Sequence, residues 1–241
     1  MEKETVVAEN KNHLIQIIEA EVQINGDGCD LNHIDVSNVT DMSWLFAKTR
    51  FNGDISQWNT SNLLNMNGMF YDAIFNQNIS KWDVSNVINM TSLFQESLFN
   101  INISKWDVSN VEYMGYMFAG SSFNQDIQMW DVSNVKNMEF MFASSKFNQN
   151  ISKWDVSNVV NMQYMFYLST IEHDLSDWQP KKLITITDIL KKSKLEQEQN
   201  LPYWATVNME FLQQAIEAYK LQKHLNKNLA HVSIKDSTVK I

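Results

Sequence analysis

Cysteine, proline and glycine are scarce in this chain of 241 residues, which contains one, two and six of them respectively. A single cysteine excludes an internal disulfide and any cysteine-rich zinc or iron–sulfur site. The low glycine and proline content excludes a collagen-like chain. Together with an aromatic content of 12%, it also argues against bulk disorder.

The chain also lacks an excess of basic charge and any long apolar run. Its formal net charge of -9 argues against broad contact with nucleic acid or with an anionic membrane surface. No stretch reaches about 18 apolar residues, and the acidic start at Met1–Glu4 is not followed by an apolar signal segment. We therefore expect a cytoplasmic protein without membrane insertion, whereas a leader removed before this start would allow a location at the cell surface.

What the chain does contain is a repeat with a period of 24 residues, marked by six tryptophans. They are Trp58, Trp82, Trp106, Trp130, Trp154 and Trp178. Ile34 lies one period earlier and opens a degenerate first copy, and we number the positions of each unit from this residue or its tryptophan. Methionine recurs at position nine, phenylalanine at positions thirteen and eighteen, and asparagine at position five. Such regularity over successive units predicts a repeat architecture.

Two spacings within each unit predict its local structure. The stretch from Ile79 to Val84 has the spacing of a leucine-rich strand, and Val87, Met90 and Phe94 follow at helical spacing. One such unit is too small to bury its own apolar side chains, so neighbouring units must stack. The fold class expected is an α/β repeat solenoid, a leucine-rich-repeat-like stack of seven 24-residue coils. Each coil would contain a short strand and a short helix.

Polar residues at fixed positions have structural roles in this prediction. Asparagine at positions five and nineteen is expected to bond its own copies or the turn backbone of neighbouring units. Aspartate at position two would be costly as a column of like charges unless it accepts backbone N–H bonds, which is the role we favour. Calcium binding by these aspartates is the less favoured alternative.

The two ends of the chain predict helical caps that protect the stack. Residues 10–24 form an amphipathic pattern with Leu14, Ile17, Ile18 and Val22 on one side, before Gly26 and Gly28. A second helix is expected over about 208–225 and a strand-like tail over 232–241. The predicted organisation is a cap at 1–30, the solenoid at 31–190, and a C-terminal helical cap and tail at 191–241. Partner docking by the last 40 residues is the alternative to a cap.

The unit resembles the BspA-like leucine-rich repeat family, also known as DUF285 or the mycoplasma-type lipoprotein repeat. Trp106–Val111 and Phe123–Ile127 carry the resemblance best, and it extends over about residues 31–178. The resemblance implies a bacterial protein, and a role in adhesion or in host or partner binding. It supplies no catalytic motif.

A search for chemistry finds no catalytic residues, no metal site and no cofactor motif in the sequence. The five histidines form neither H-x-x-x-H nor H-E-x-x-H, and no nucleophile elbow, P-loop or dinucleotide fingerprint is present. Cys29 and His33 are four residues apart, but a half-buried cysteine is the favoured interpretation over a thiolate–imidazole pair. We therefore predict that the chain is not an enzyme and needs no cofactor.

The variable positions of the unit are the place to look for a partner-binding surface. Position eleven carries four aromatic residues, and positions fourteen and eight add three more. The candidate partner-binding residues are Trp44, Tyr71, Tyr113, Tyr116, Phe140, Tyr164 and Tyr167. Exposed aromatic residues are enriched in interface hot spots, although packing between neighbouring coils is the more favoured explanation for them. The lysines at position 24 (Lys81, Lys105 and Lys153) are expected to form a solvated face.

The function predicted from these observations is non-catalytic binding of a protein partner whose identity the sequence does not give. An intracellular interaction, inhibitor or immunity-type module of a bacterium is favoured by the acidic charge and by the start of the chain. A surface-exposed, adhesin-like repeat protein of the BspA type is the alternative, since many members of the family are surface proteins.

Overall fold

The computed structural model describes residues 3–199, 201–206, 214 and 217–224. Its strands are β1 (Val6–Val7) and β2 (Ile34–Asp35), which pair in parallel. Its helices are α1 (Lys11–Asn25), α2 (Lys194–Gln197) and α3 (Tyr203–Thr206), and residues 217–224 are also helical. None of the described helices combines the length and apolar content that a membrane span requires.

The N-terminal helix predicted at 10–24 is confirmed as α1. It begins after Asn10, whose side-chain oxygen accepts a hydrogen bond from the His13 N–H at 3.1 Å. It ends at Gly26, which has a φ of 81° and donates its N–H to the Val22 carbonyl. Leu14 and Ile18 of this helix are buried against the first unit.

Apart from β2, which opens the first unit, the repeat units contain neither the predicted strand nor the predicted helix. Residues 36–193 form turns and isolated parallel β-bridges, and the bridges occur at position eight rather than beside the tryptophan. The bridged residues are Asp41, Asn65, Asn89, Tyr113, Asn137, Asn161 and Thr185. The α/β composition expected for each unit is therefore wrong, whereas the stacking of one unit on the next is present.

Backbone conformation explains why no helix forms over 87–94. Ser92 and Glu96 have φ values of 54° and 58°, and positions eleven and fifteen are left-handed in every unit. In addition, the N–H groups of Met90 and Ser92 donate to carbonyl oxygens of the following unit at 2.9 Å. Both features are incompatible with a continuous α-helix, whose N–H groups bond within the helix.

The core consists of aromatic columns that run through successive units. All six repeat tryptophans are buried, and each indole N–H donates to the carbonyl of the residue 27 positions earlier in the chain, as Trp82 does to Ile55 at 3.0 Å. Phe118 stacks on Phe94 and Phe142 with ring centroids 5.9 and 5.7 Å apart. A second phenylalanine column at position eighteen is also fully buried or nearly so. Each unit thus supplies one layer of a continuous interior.

Asparagine and aspartate fill the structural roles predicted for them. The Asn158 side chain donates to the Ser133 carbonyl of the preceding unit at 2.7 Å. Asn76 Oδ1 accepts the backbone N–H of Asn100, one unit further on, at 2.9 Å. Asp83 accepts the N–H of Ser85 at 3.0 Å within the same turn. These side chains therefore replace hydrogen bonds that regular secondary structure would otherwise provide.

The C-terminal part extends the tryptophan column by one ring. Trp204 of α3 is fully buried, stacks on Trp178 at 5.8 Å and donates its indole N–H to the Leu175 carbonyl at 2.8 Å. Of the helix predicted over 208–225, residues 217–224 are helical, and Phe211, Leu212 and Ile216 lie outside the described residues. The tail predicted over 232–241 lies outside them as well.

Candidate functional site

The aromatic candidates form two separate groups rather than one continuous column. Trp44 and Tyr71 form the N-terminal aromatic pair, and Tyr116, Phe140 and Tyr164, with Tyr167 at one end, form the aromatic stack. Gly68 and Ser92 occupy position eleven in the two units between those of Trp44 and Tyr116. Since neither has an aromatic ring, the groups are separated along the repeat axis.

The aromatic stack consists of rings lying face to face. The ring centroids of Tyr116 and Phe140 are 4.8 Å apart, and those of Phe140 and Tyr164 are 4.7 Å apart, with interplanar angles of 10° and 20°. Tyr167 meets Tyr164 edge-on at 5.8 Å. Because the inner faces cover one another, the ring edges and the phenol groups are the parts of these rings left accessible.

The N-terminal aromatic pair has an edge-to-face geometry and more exposure. Trp44 is 50% exposed and meets Tyr71 at 5.6 Å with an interplanar angle of 70°. The Lys48 ammonium lies 5.5 Å from the centroid of the Tyr71 ring, within the range of a cation–π contact. The Trp44 indole also lies over Gly68, where a Cβ atom would approach the ring to 2.5 Å.

Tyr113 occupies a different place from the other candidates. It belongs to the row of β-bridges at position eight, paired with Asn89 and Asn137, and its side chain is 40% exposed. Its backbone is therefore part of the contact between units. The structure brings the other six candidates together in two clusters and leaves Tyr113 beside them.

The position-eleven aromatics stand on an unusual backbone conformation. Trp44, Tyr116, Phe140 and Tyr164 have φ values of 61°, 60°, 51° and 54°. Such values are uncommon for any residue other than glycine, and for bulky residues they are true outliers. The direction in which these rings leave the backbone is fixed by this left-handed geometry.

Polar contacts border the aromatic stack. Burial raises the pKa of Tyr116, and the neighbouring Glu139 carboxylate raises it further, so this phenol stays protonated. Glu139 in turn accepts a hydrogen bond from the Asn161 side chain at 2.7 Å. At the other end, the Lys192 ammonium lies 5.8 Å from the centroid of the Tyr167 ring. The border of the stack thus combines a carboxylate, phenol groups and a lysine.

The cations at both aromatic groups were not among the sequence candidates. Lys48 and Lys192 both occupy position fifteen of their units. Each contacts a tyrosine at position fourteen of a neighbouring unit, Tyr71 and Tyr167 respectively. The signal available in the sequence was this shared position. It becomes informative only when positions fourteen and fifteen are known to share one face.

Other candidate chemistry is not assembled in the part of the chain that the structure describes. Cys29 is buried, which raises the pKa of its thiol, and the His33 ring contacts Glu21 Oε1 at 3.2 Å. Within the described residues, no group of three or more histidine, cysteine, aspartate or glutamate side chains could hold a metal ion. The position-24 lysines (Lys81, Lys105 and Lys153) are exposed, as expected of a solvated face.

These features define a repeat protein with aromatic groups displayed on its surface. The chain belongs to the family described as mycoplasma protein of unknown function, DUF285, whose model matches residues 16–122, 87–167 and 120–232. These overlapping matches agree with the resemblance seen in the repeat unit, and they extend it into both ends of the chain. Searches of curated proteins and of solved structures gave no match.

Proposed function

We propose that this chain is a non-catalytic binding protein, a seven-coil solenoid whose surface aromatics capture a protein partner. The observation that carries the proposal is the occurrence of four aromatic residues at a left-handed position. Residues held in that region cost about 1–3 kcal/mol each, and such strain concentrates at functional sites. Aromatic residues placed there at a cost to stability are more readily explained by recognition than by folding.

Position fifteen provides an internal comparison for this argument. It is left-handed in the same seven units, yet it contains no aromatic residue. Its residues are Lys48, Asp72, Glu96, Gly120, Ser144, Leu168 and Lys192. The left-handed backbone alone therefore does not require an aromatic ring, and the choice at position eleven calls for another reason.

Packing between neighbouring units is the competing explanation for the aromatic stack. Two stacked ring pairs would contribute about 0.5–1.5 kcal/mol each, which does not exceed the backbone cost of about 1–3 kcal/mol for each of the three left-handed residues. The net contribution of the stack to folding is thus small. Binding is favoured because tyrosine and tryptophan combine a large rigid contact area with a polar group, at little loss of side-chain freedom.

The proposal is tested by partner capture from an extract of the native host. The aromatic variant combines Tyr116→Ala, Phe140→Ala and Tyr164→Ala, and the matched control combines Lys81→Ala, Lys105→Ala and Lys153→Ala on the position-24 face. The aromatic variant should recover at least about tenfold less partner than the unmodified protein, which corresponds to a loss of about 1.4 kcal/mol in binding free energy. The lysine variant should recover as much partner as the unmodified protein. Equal recovery by both folded variants would overturn the proposal.

The compartment of the partner is a separate prediction. We propose that the interaction is intracellular and that the protein acts as an inhibitor or immunity-type module. The net charge of -9 supports this proposal. Fractionation of the native host's cells tests it. Recovery of the protein outside the membrane would favour the adhesin-like alternative instead.

A further inference from the structure

A cavity of about 180 Å³ lies between α1 and the first repeat unit, and we call it the α1 pocket. Its apolar wall consists of Ile15, Ile18 and Val22 from the helix and Leu45, Phe46 and Phe51 from the unit. A cavity of about 150 Å³ with a similar apolar lining is large enough to bind benzene. The α1 pocket therefore has room for one six-membered ring.

Two carboxylates, those of Glu19 and Asp27, also line the α1 pocket. Both residues are exposed, so their charged groups lie towards its mouth. Neither forms an ion pair with any residue that the structure describes. Among the described residues, no lysine or arginine lines the pocket. An apolar cavity with unpaired acidic groups at its mouth is complementary to a ligand that joins an apolar body to a cation.

The C-terminal end of α1 favours a cation at the same place. Helix α1 ends at Asn25, between Glu19 and Asp27 in the chain, and its last turn contains no basic side chain. The last carbonyl groups of a helix carry a partial negative charge, which cations near that end stabilise. A bound ammonium group would therefore supply the charge that the last turn of α1 lacks.

The polar side chains of the α1 pocket provide acceptors rather than donors. The Thr49 hydroxyl lines the pocket, but it donates its proton to the Phe46 carbonyl at 2.8 Å. The ionised carboxylates of Glu19 and Asp27 only accept hydrogen bonds. A ligand must therefore bring its own donors, and an ammonium group brings three.

We propose that the α1 pocket binds a small amphipathic amine. The apolar body of this ligand lies between α1 and the first unit, and its ammonium group donates to the carboxylates of Glu19 and Asp27. None of the seven candidate partner-binding aromatics lines the pocket. The proposal is therefore independent of partner capture.

Titration of the full-length protein with phenethylammonium, followed by NMR of isoleucine, leucine and valine methyl groups, tests the proposal. The signals of Ile15, Val22 and Leu45 should shift in a saturable way, whereas those of Ile103 and Val159 in the core of later units should not. Phenylethyl alcohol has the same ring without the charge and should bind at least about fivefold more weakly. The anion hydrocinnamate should cause no shift.

Two matched double variants separate the carboxylates from the apolar wall. Glu19→Gln with Asp27→Asn should weaken the binding of phenethylammonium about fivefold and leave that of phenylethyl alcohol unchanged. Asp72→Asn with Glu96→Gln removes two carboxylates elsewhere on the surface and should change neither affinity. All four residues are exposed, so both variants should keep the fold.

Three results would contradict the proposal. The absence of saturable shifts at the pocket methyl groups would show that the cavity does not take the amine. Equal affinity for the amine and the alcohol, or equal weakening by the two double variants, would remove the role of the carboxylates. Blocked lysine should bind more weakly than phenethylammonium, because its unbranched stem fills less of the cavity. Equal or tighter binding of blocked lysine would instead assign the pocket to a lysine side chain of a protein.

Discussion

The buried aromatic columns and the surface aromatic stack use the same kind of residue for different purposes. Phe142 is fully buried and stacks on its copies in both neighbouring units, whereas Phe140, two residues earlier, is half-buried on the surface. The column of Phe142 is unbroken through six units, but the surface column is interrupted by Gly68 and Ser92. A missing ring in the buried column would leave a cavity in the core, whereas a missing ring on the surface costs little stability.

This contrast explains which positions of the unit repeat and which vary. Interior positions are held to one residue because each layer must fill the same volume between identical neighbours. Position eleven has no such requirement, and its residues range from glycine to tryptophan. Variation confined to the surface is what a preformed framework for recognition needs.

The largest effect is expected at the end of the buried column. Trp204→Ala removes a fully buried indole and its hydrogen bond to the Leu175 carbonyl, and should lower the free energy of unfolding by about 3–5 kcal/mol. Leu221→Ala is the control in the same part of the chain, because Leu221 is 62% exposed and should change stability by less than about 0.5 kcal/mol. Urea denaturation measures both values, and a similar loss of unfolding free energy in the two variants would mean that Trp204 does not complete the core.

An intermediate effect is expected at Gly68, where the surface column is interrupted. Gly68→Ala places a Cβ atom 2.5 Å from the Trp44 ring at a φ of 61°, so it should cost about 1–3 kcal/mol and displace the indole. Gly28→Ala is the control, because a Cβ atom at this position has no neighbouring atom within 4 Å, and it should leave stability unchanged. Thermal unfolding measures the cost. Indole fluorescence reports the displacement, and an unchanged spectrum in the Gly68 variant would contradict the contact.

The smallest effect is expected from acid titration of the position-two turns. Hydrogen bonds from the Ser109 hydroxyl and N–H hold the pKa of Asp107 below its usual value of 3.8. Because the folded pKa is lowered, the stabilisation is complete above pH 3.8 and is lost as the pH falls through the folded value. Asp107→Asn should flatten the decline of unfolding free energy below about pH 4.

Asparagine is a suitable replacement for this test because the repeat already uses it. Asn59 stands at the same position in another unit, and its side-chain oxygen accepts the Ser61 N–H at 3.2 Å. The variant therefore keeps the acceptor and loses only the titration. An identical pH dependence in the two proteins would show that Asp107 does not contribute to it.

Sequence periodicity predicted the interior of the fold well and its backbone poorly. Val87, Met90 and Phe94 are all fully buried, as their spacing required, but they lie on successive turns rather than on a helix. Both arrangements place the same positions on one side, so apolar spacing alone does not distinguish them. Gly68 and Gly120 were the available signal, since glycine at positions eleven and fifteen favours left-handed turns.

The ends and the site were predictable to different extents. The pattern of α1 was clear because Asn10 and Gly26 provide recognisable caps. Trp204 escaped prediction because it follows Trp178 by 26 residues rather than 24. Gly68 and Ser92 at position eleven already divide the candidate aromatics into two groups in the sequence. The contacts that each ring makes depend on its orientation, which the left-handed backbone determines and the repeat pattern does not reveal.

The most direct test compares Phe140→Ala with Phe142→Ala, two identical truncations in one unit. We predict that Phe142→Ala lowers the free energy of unfolding by about 3–5 kcal/mol, and that Phe140→Ala lowers it by no more than about 1–2 kcal/mol. Chemical denaturation of the two variants and the unmodified protein measures both values. Equal losses would mean that the surface stack belongs to the structural core, and would contradict its assignment as a binding surface.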